Sequence, residues 1–166
     1  FGTRCFWLHR SDGSETDISY IESMRPSSKK DKIISACRNS IKDIISDFKN
    51  VNYVCGETKC PFTGEILYDD TVHVDHYNLT FNEVFNNWIS TCTSKGHDVE
   101  VIYNYLEKHN DGDTEERFKE SGFKYRDSFV KYHNKYTHLR IVSKTANLGI
   151  LKNNNHNDAN RRLYKS

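Results

Sequence analysis

Apolar side chains return along this chain at two different periods. Ile33, Ile34, Cys37, Ile41, Ile44, Ile45 and Phe48 are spaced by threes and fours, the stripe of an amphipathic helix with one face on a core. That spacing predicts a helix over about residues 29–48, with Pro26, Ser27 and Ser28 breaking the chain before it and offering a cap. Phe81, Val84, Phe85, Trp88, Ile89 and Cys92 repeat the period, and Thr80 followed three residues on by Glu83 is a capping-box signature. Residues 99–108 read as a second helix of this middle region, or as a strand at their apolar start. Asn110-Asp111-Gly112-Asp113 breaks the pattern, and residues 115–134 read as helical again, with an interruption near Gly122.

Elsewhere the period falls to two. Residues 4–10 and 16–20 alternate apolar and polar positions around Ser11-Asp12-Gly13-Ser14, which predicts a hairpin. Val51 to Val54 reads as a strand, followed by a tight loop from Cys55 to Gly64 that contains Pro61. Residues 65–68 and 71–75 flank Asp69-Asp70 in the manner of another hairpin, whose second arm carries Val72-His73-Val74-Asp75-His76. Further on, residues 139–142 read as a short strand and residues 145–151 as a short helix. From Lys152 to Ser166 the chain is polar, a tail without an apolar stripe.

At 166 residues the chain can bury one sizeable core, or one core with an appendage. No apolar run is long enough to span a bilayer and no signal-peptide pattern is present. Five Cys at irregular spacing argue against a disulfide framework and for a reducing, cytoplasmic setting. Net charge is only +1, but it is unevenly spread: from Phe118 onward there are 11 Lys or Arg against 3 Asp or Glu, and before it 13 against 20. A basic half suggests a polyanionic partner. Phe123, Tyr125, Phe129, Tyr132 and Tyr136 are mixed with those cations; aromatic faces can stack on bases, although Phe129, Tyr132 and Tyr136 also fit a core stripe. No repeat, Walker-type phosphate loop or Gly-rich dinucleotide fingerprint is found.

The chemistry-bearing residues are Asp75 and His76, with Asn147 far downstream. Hydrolysing a phosphodiester needs a base to activate water and a cation to stabilise the leaving oxygen. His76 titrates nearest neutrality and can take the proton. Asp75 and Asn147 offer hard oxygens that suit Mg²⁺ or Mn²⁺. Because neighbouring side chains in a strand point to opposite faces, Asp75 and His76 converge on one phosphate only if the strand ends there.

Val74-Asp75-His76, then His138-Leu139-Arg140-Ile141-Val142, then Asn147 resemble the ββα-metal, or HNH, nuclease finger. The resemblance implies His76 as base, Asp75 and Asn147 on one divalent ion, and His138 in the supporting place usually held by Asn. Many members add two Cys pairs on a structural zinc. Here Cys55 and Cys60 stand upstream, but Ser143 and Ala146 occupy the second pair's positions, so no structural zinc is expected, unless His73 or His133 completes a site. Residues 4–20 are also similar to the end of a DCL-like domain, which bacterial and phage relatives join to an HNH-type finger.

The expectation is therefore an α+β fold: an N-terminal β-hairpin plus long helix over residues 1–50, a ββα-metal nuclease finger with a helical insertion over 51–151, and a basic tail over 152–166. The function expected is endonucleolytic cleavage of DNA, double-stranded, with Arg140, Lys144, Lys152, Arg161 and Arg162 on phosphates and a homodimer left open. The alternative is a DNA- or RNA-binding module whose nuclease site has decayed.

Overall fold

A computed structural model describes residues 5–9 and 15–19 as backbone, and 26–108 and 116–151. The first two segments are β1 (Cys5–His9) and β2 (Glu15–Ser19), an antiparallel pair. The remaining described residues build two hydrophobic cores.

The larger core is helical. Helix α1 (Lys29–Ser40) starts at Ser28, whose side chain accepts from the Asp31 N–H while Asp31 accepts from the Ser28 N–H. It buries Ile33, Ala36 and Cys37. The predicted long helix is in fact two: the backbone turns at Ile41, and α2 runs over Lys42–Asn52. The break lets one apolar stripe serve two cores, with Ile33 to Ile45 facing the helical body and Phe48 facing the smaller core. Because α2 extends to Asn52, the strand expected at residues 51–54 does not form, and Val51 is exposed.

Helix α3 (Phe81–Thr93) has the Thr80–Glu83 capping box in full and buries Val84, Phe85, Trp88 and Cys92. The segment predicted as helix or early strand at 99–108 is a short helix α4 (Val99–Tyr103), capped by Asp98, followed by strand β4 (Leu106–Lys108). Strand β4 pairs with β5 (Glu116–Phe118), where a helix was expected to have begun. A 3₁₀ turn (Glu120–Gly122) then leads into α5 (Phe123–Tyr136). Gly122 marks the interruption for a steric reason: a Cβ there would lie 2.7 Å from the Tyr105 Cβ and 2.8 Å from its carbonyl oxygen. Helix α1 packs on β5, α4 and α5, so the first helix and the insertion share one core.

The smaller core lies around the β3–β6 pair, which we call the β3–β6 region. Strand β3 (Val72–His76) pairs antiparallel with β6 (Leu139–Ser143), and the turn of π-helix Ala146–Ile150 follows at once. The hairpin predicted between residues 65–68 and 71–75 is not the pairing adopted. Residues 53–67 instead fold into a compact loop, with Gly56 donating to the Leu67 carbonyl, Leu67 to Thr58 and Cys60 to Glu65. Gly64 closes it at φ +71°, a conformation that favours glycine. Cys60, Leu67, Val72, Ile141, Val142 and Ala146 form the buried centre, with Phe48 packed against it. Among the described residues no helix is long and apolar enough to cross a membrane.

Candidate active site

Register decides which side chains of β3 meet. Asp75 lies opposite Arg140, and His73 opposite Val142, while His76 lies opposite Leu139. His73 and Asp75 therefore share one face and His76 the other. The ladder does not stop at His76, because the Tyr77 N–H donates to the His138 carbonyl at 3.1 Å. The strand end that would have turned Asp75 and His76 to one side is absent, and the structure places them on opposite faces.

On the first face, Asn147 comes back over β3. Its side-chain amide lies 3.1 Å from His73 Nδ1. Asp75 accepts from Arg140 Nε at 2.8 Å and Nη2 at 2.7 Å, both on the same carboxylate oxygen, Oδ2. The guanidinium also lies over the rings of Phe62 and Tyr77, at 4.6 and 5.4 Å from their centres. Burial, then the charges of Lys144 and Lys49, push the His73 pKa down. Arg140 pairs with the Asp75 carboxylate, while Lys144 and Lys49 act on His73. Among the described residues no three His, Cys, Asp or Glu side chains are grouped to hold a metal. Asn147 presents its amide nitrogen to His73 Nδ1 and Arg140 holds Asp75 Oδ2; a divalent ion would need the carboxamide turned so that its oxygen joins the Asp75 carboxylate, an oxygen pair of the kind that suits Mg²⁺ or Mn²⁺.

On the second face, His76 Nε2 lies 2.9 Å from Nε2 of His133 on α5. Asn134 Oδ1 is 3.2 Å from His133 Nδ1. An oxygen facing Nδ1 requires the proton there, which leaves His133 Nε2 to accept from His76 Nε2–H. His76 Nδ1 is then the unprotonated atom. Burial first and His133 second push the His76 pKa down to about 4, against the pull of Asp75, so the ring is neutral at pH 7 but a weaker base than the free imidazole the sequence led us to expect. The ring also borders a cavity of about 350 Å³ that Arg38, Asn39, Lys42, Ile41, Ile45 and Phe81 complete. Arg38 lies 5.0 Å over the Phe81 ring, and that ring is edge-on to His76 at 6.2 Å.

His138 is exposed and sits beside Tyr77, with ring centres 5.5 Å apart, so the side chain on His76 is His133 instead. Arg140 pairs with Asp75 and Lys144 is exposed. Lys152, Arg161 and Arg162 lie outside the described residues. His133 was missed because a histidine on the buried stripe of α5, with Tyr125 and Phe129, reads as core until the opposite element is known. A coupled signal was present in His73, two residues before Asp75 and hence on its face.

Where the second Cys pair would be, polar contacts close the loop. The Ser143 N–H donates to Cys60 Sγ at 3.3 Å and the Ala146 N–H to Ser143 Oγ at 3.1 Å. Burial pushes the Cys60 thiol up, but donors from Ser143, Thr63 and Phe62 outweigh it and bring the pKa to about 7. Cys55 is exposed.

Residues 1–24 match the model of a family described as a protein of unknown function, DUF3223. No curated protein and no solved structure matches the chain. The similarity to that family covers the β1–β2 region and stops before the candidate site.

Proposed function

We propose that this chain is a metal-dependent endonuclease of the ββα-metal type, hydrolysing DNA phosphodiester bonds. The observation that carries the reading is the return of Asn147 across an antiparallel pair to the face of β3 that holds His73 and Asp75. Asp75 and Asn147, its carboxamide oxygen turned toward the carboxylate, would hold one divalent ion, which when bound stabilises charge on the departing sugar oxygen. Arg140, Lys144 and Lys49 supply positive charge for the phosphate. His76 Nδ1 takes the proton from the attacking water, with His133 holding the opposite nitrogen. Asp75 and His76 point to opposite faces, yet their Cα atoms are about 3.8 Å apart. Strand β3 has β6 as its one described partner strand, and a phosphate would have to lie along its other edge to meet both faces. The cavity beside His76, with Arg38 and Lys42 in its wall, has room for the neighbouring nucleotide.

One observation favours the second reading, a DNA- or RNA-binding module without activity: Arg140 already occupies Asp75, and His133 already occupies His76. A plasmid-nicking assay separates them. With Mg²⁺ or Mn²⁺ the wild type nicks, and His76→Ala lowers the rate by about 10²–10⁴-fold while DNA affinity in EDTA stays unchanged. Undiminished cleavage by His76→Ala removes the assignment of the base. A wild type that binds DNA and cuts nothing with either ion establishes the second reading.

A further inference from the structure

We propose that the groove between α3 and α5 binds an unpaired nucleic-acid strand and delivers it to the finger, a role that rests on reading the substrate as nucleic acid. The groove has a volume of about 540 Å³. Lys95, Lys124, Lys131 and Lys135 line it, His97 joins them, and no Asp or Glu does. The acids on the two helices are committed elsewhere: Glu83 caps α3 through Thr80, and Asp127 pairs with Arg126 at 2.8 Å. In a chain whose net charge is +1, four lysines lining one groove with no Asp or Glu among the described residues of its wall form a local site for a polyanion.

Helical periodicity arranges the groups. Tyr125, Phe129 and His133 form the buried row of α5. Lys124, Lys131 and Lys135 recur at intervals of seven and four beside it, and over those eleven residues the row extends about 16 Å. Between the rows stand Tyr132 and Tyr136, ring centres 4.5 Å apart, with Tyr136 40% exposed. Lys135 lies 4.9 Å over the Tyr136 ring. Cations that can follow a backbone, interleaved with aromatic faces that can stack on bases, are how unpaired strands are held without sequence preference. A duplex conceals its base faces and would leave Tyr132 and Tyr136 unused.

The groove also ends in the right place. The Tyr136 carbonyl accepts from the Asn78 side chain at 2.7 Å, and Asn78 Oδ1 accepts from the His138 N–H at 2.8 Å. Its far end therefore abuts the end of the β3–β6 pair, two residues from His76.

Fluorescence anisotropy with a labelled single-stranded oligonucleotide and with its duplex, in EDTA so that nothing is cleaved, tests this on the full chain. Lys131→Ala/Lys135→Ala, checked by thermal melting to be folded, is expected to weaken single-strand binding about tenfold and to lower the slope of log affinity against log salt by about 1.4. Tyr136→Ala is expected to weaken single-strand binding about tenfold and duplex binding less. Unchanged affinity and slope in the double lysine variant overturn the proposal, as does an equal loss for duplex with Tyr136→Ala. A wild type that binds through these residues but never cuts leaves the groove standing and removes the nuclease. A wild type that cuts, with the lysine variant binding normally, does the reverse.

Discussion

Trp88 and Ser143 are both buried, at 1% and 0% exposure, but in different surroundings. Trp88 is 5.2 Å from the Phe129 ring and 6.1 Å from Phe85, and its one polar atom donates to Ser128. Ser143 holds Cys60 with its backbone and Ala146 with its hydroxyl, in a core of six buried residues. The body is held by apolar area, roughly 25 cal/mol per Å²; the β3–β6 region depends on a small apolar centre closed by specific polar contacts. Such contacts have strict geometry and leave costly orphans when one partner goes. The region that carries the candidate chemistry is thus the one with less apolar reserve, and His76, its proposed base, contacts His133 of the other region.

Core truncations test that division most strongly. Trp88→Ala is expected to cost about 3–5 kcal/mol and Leu67→Ala about 2–5 kcal/mol. Native-state hydrogen exchange should separate them by place. In Leu67→Ala the amides of β3 and β6 lose protection while those of α3 and α5 keep theirs; in Trp88→Ala both regions lose it, because His133 and α5 no longer support His76. Loss across the whole chain in Leu67→Ala would show that the two cores melt as one unit.

The joint between the regions gives the next effect. His133→Ala leaves the His76 N–H without its acceptor and frees the ring to turn. A cleavage rate constant about 10–100-fold lower is expected, the scale typical of partners that hold a functional histidine, with KM unchanged. Gln in place of His133 presents a carbonyl oxygen to the same N–H and should restore most of the rate. If Gln and Ala behave alike, His133 is packing and does not position the base.

The body was largely legible in the sequence because helical periodicity is local. The stripe through Phe81, Val84, Phe85 and Trp88 and the Thr80–Glu83 cap depend on residues a few positions apart, and both are present. What was not legible required long-range register. The pairing of Asp75 with Arg140 joins residues 65 positions apart, whereas the Asp69-Asp70 turn pointed to a nearer partner for β3. That turn does form, with the Thr71 N–H on the Tyr68 carbonyl, but Val72 gains more by burial against Ile141 and Val142. The break at Ile41 was hidden for a related reason: both halves keep one stripe, and the two cores it serves appear only in three dimensions. Asp75, His76 and Asn147 could be picked out by residue type, but the faces they occupy could not.

Acid should loosen the joint before the body, the smallest effect of the three. His76 is held at about 4, and His133 and His73 are also pushed below the ordinary histidine value, burial being the first cause for each. The unfolded chain therefore binds more protons than the folded one below about pH 6.5. Stability from these groups is fully present above that value and is lost progressively as pH falls toward 4. Denaturant titrations from pH 7 to 4.5 should show this decline, and His76→Gln/His133→Gln should flatten it, because an amide pair in the same place has no proton to gain. An equal slope in the double variant would place the acid sensitivity elsewhere.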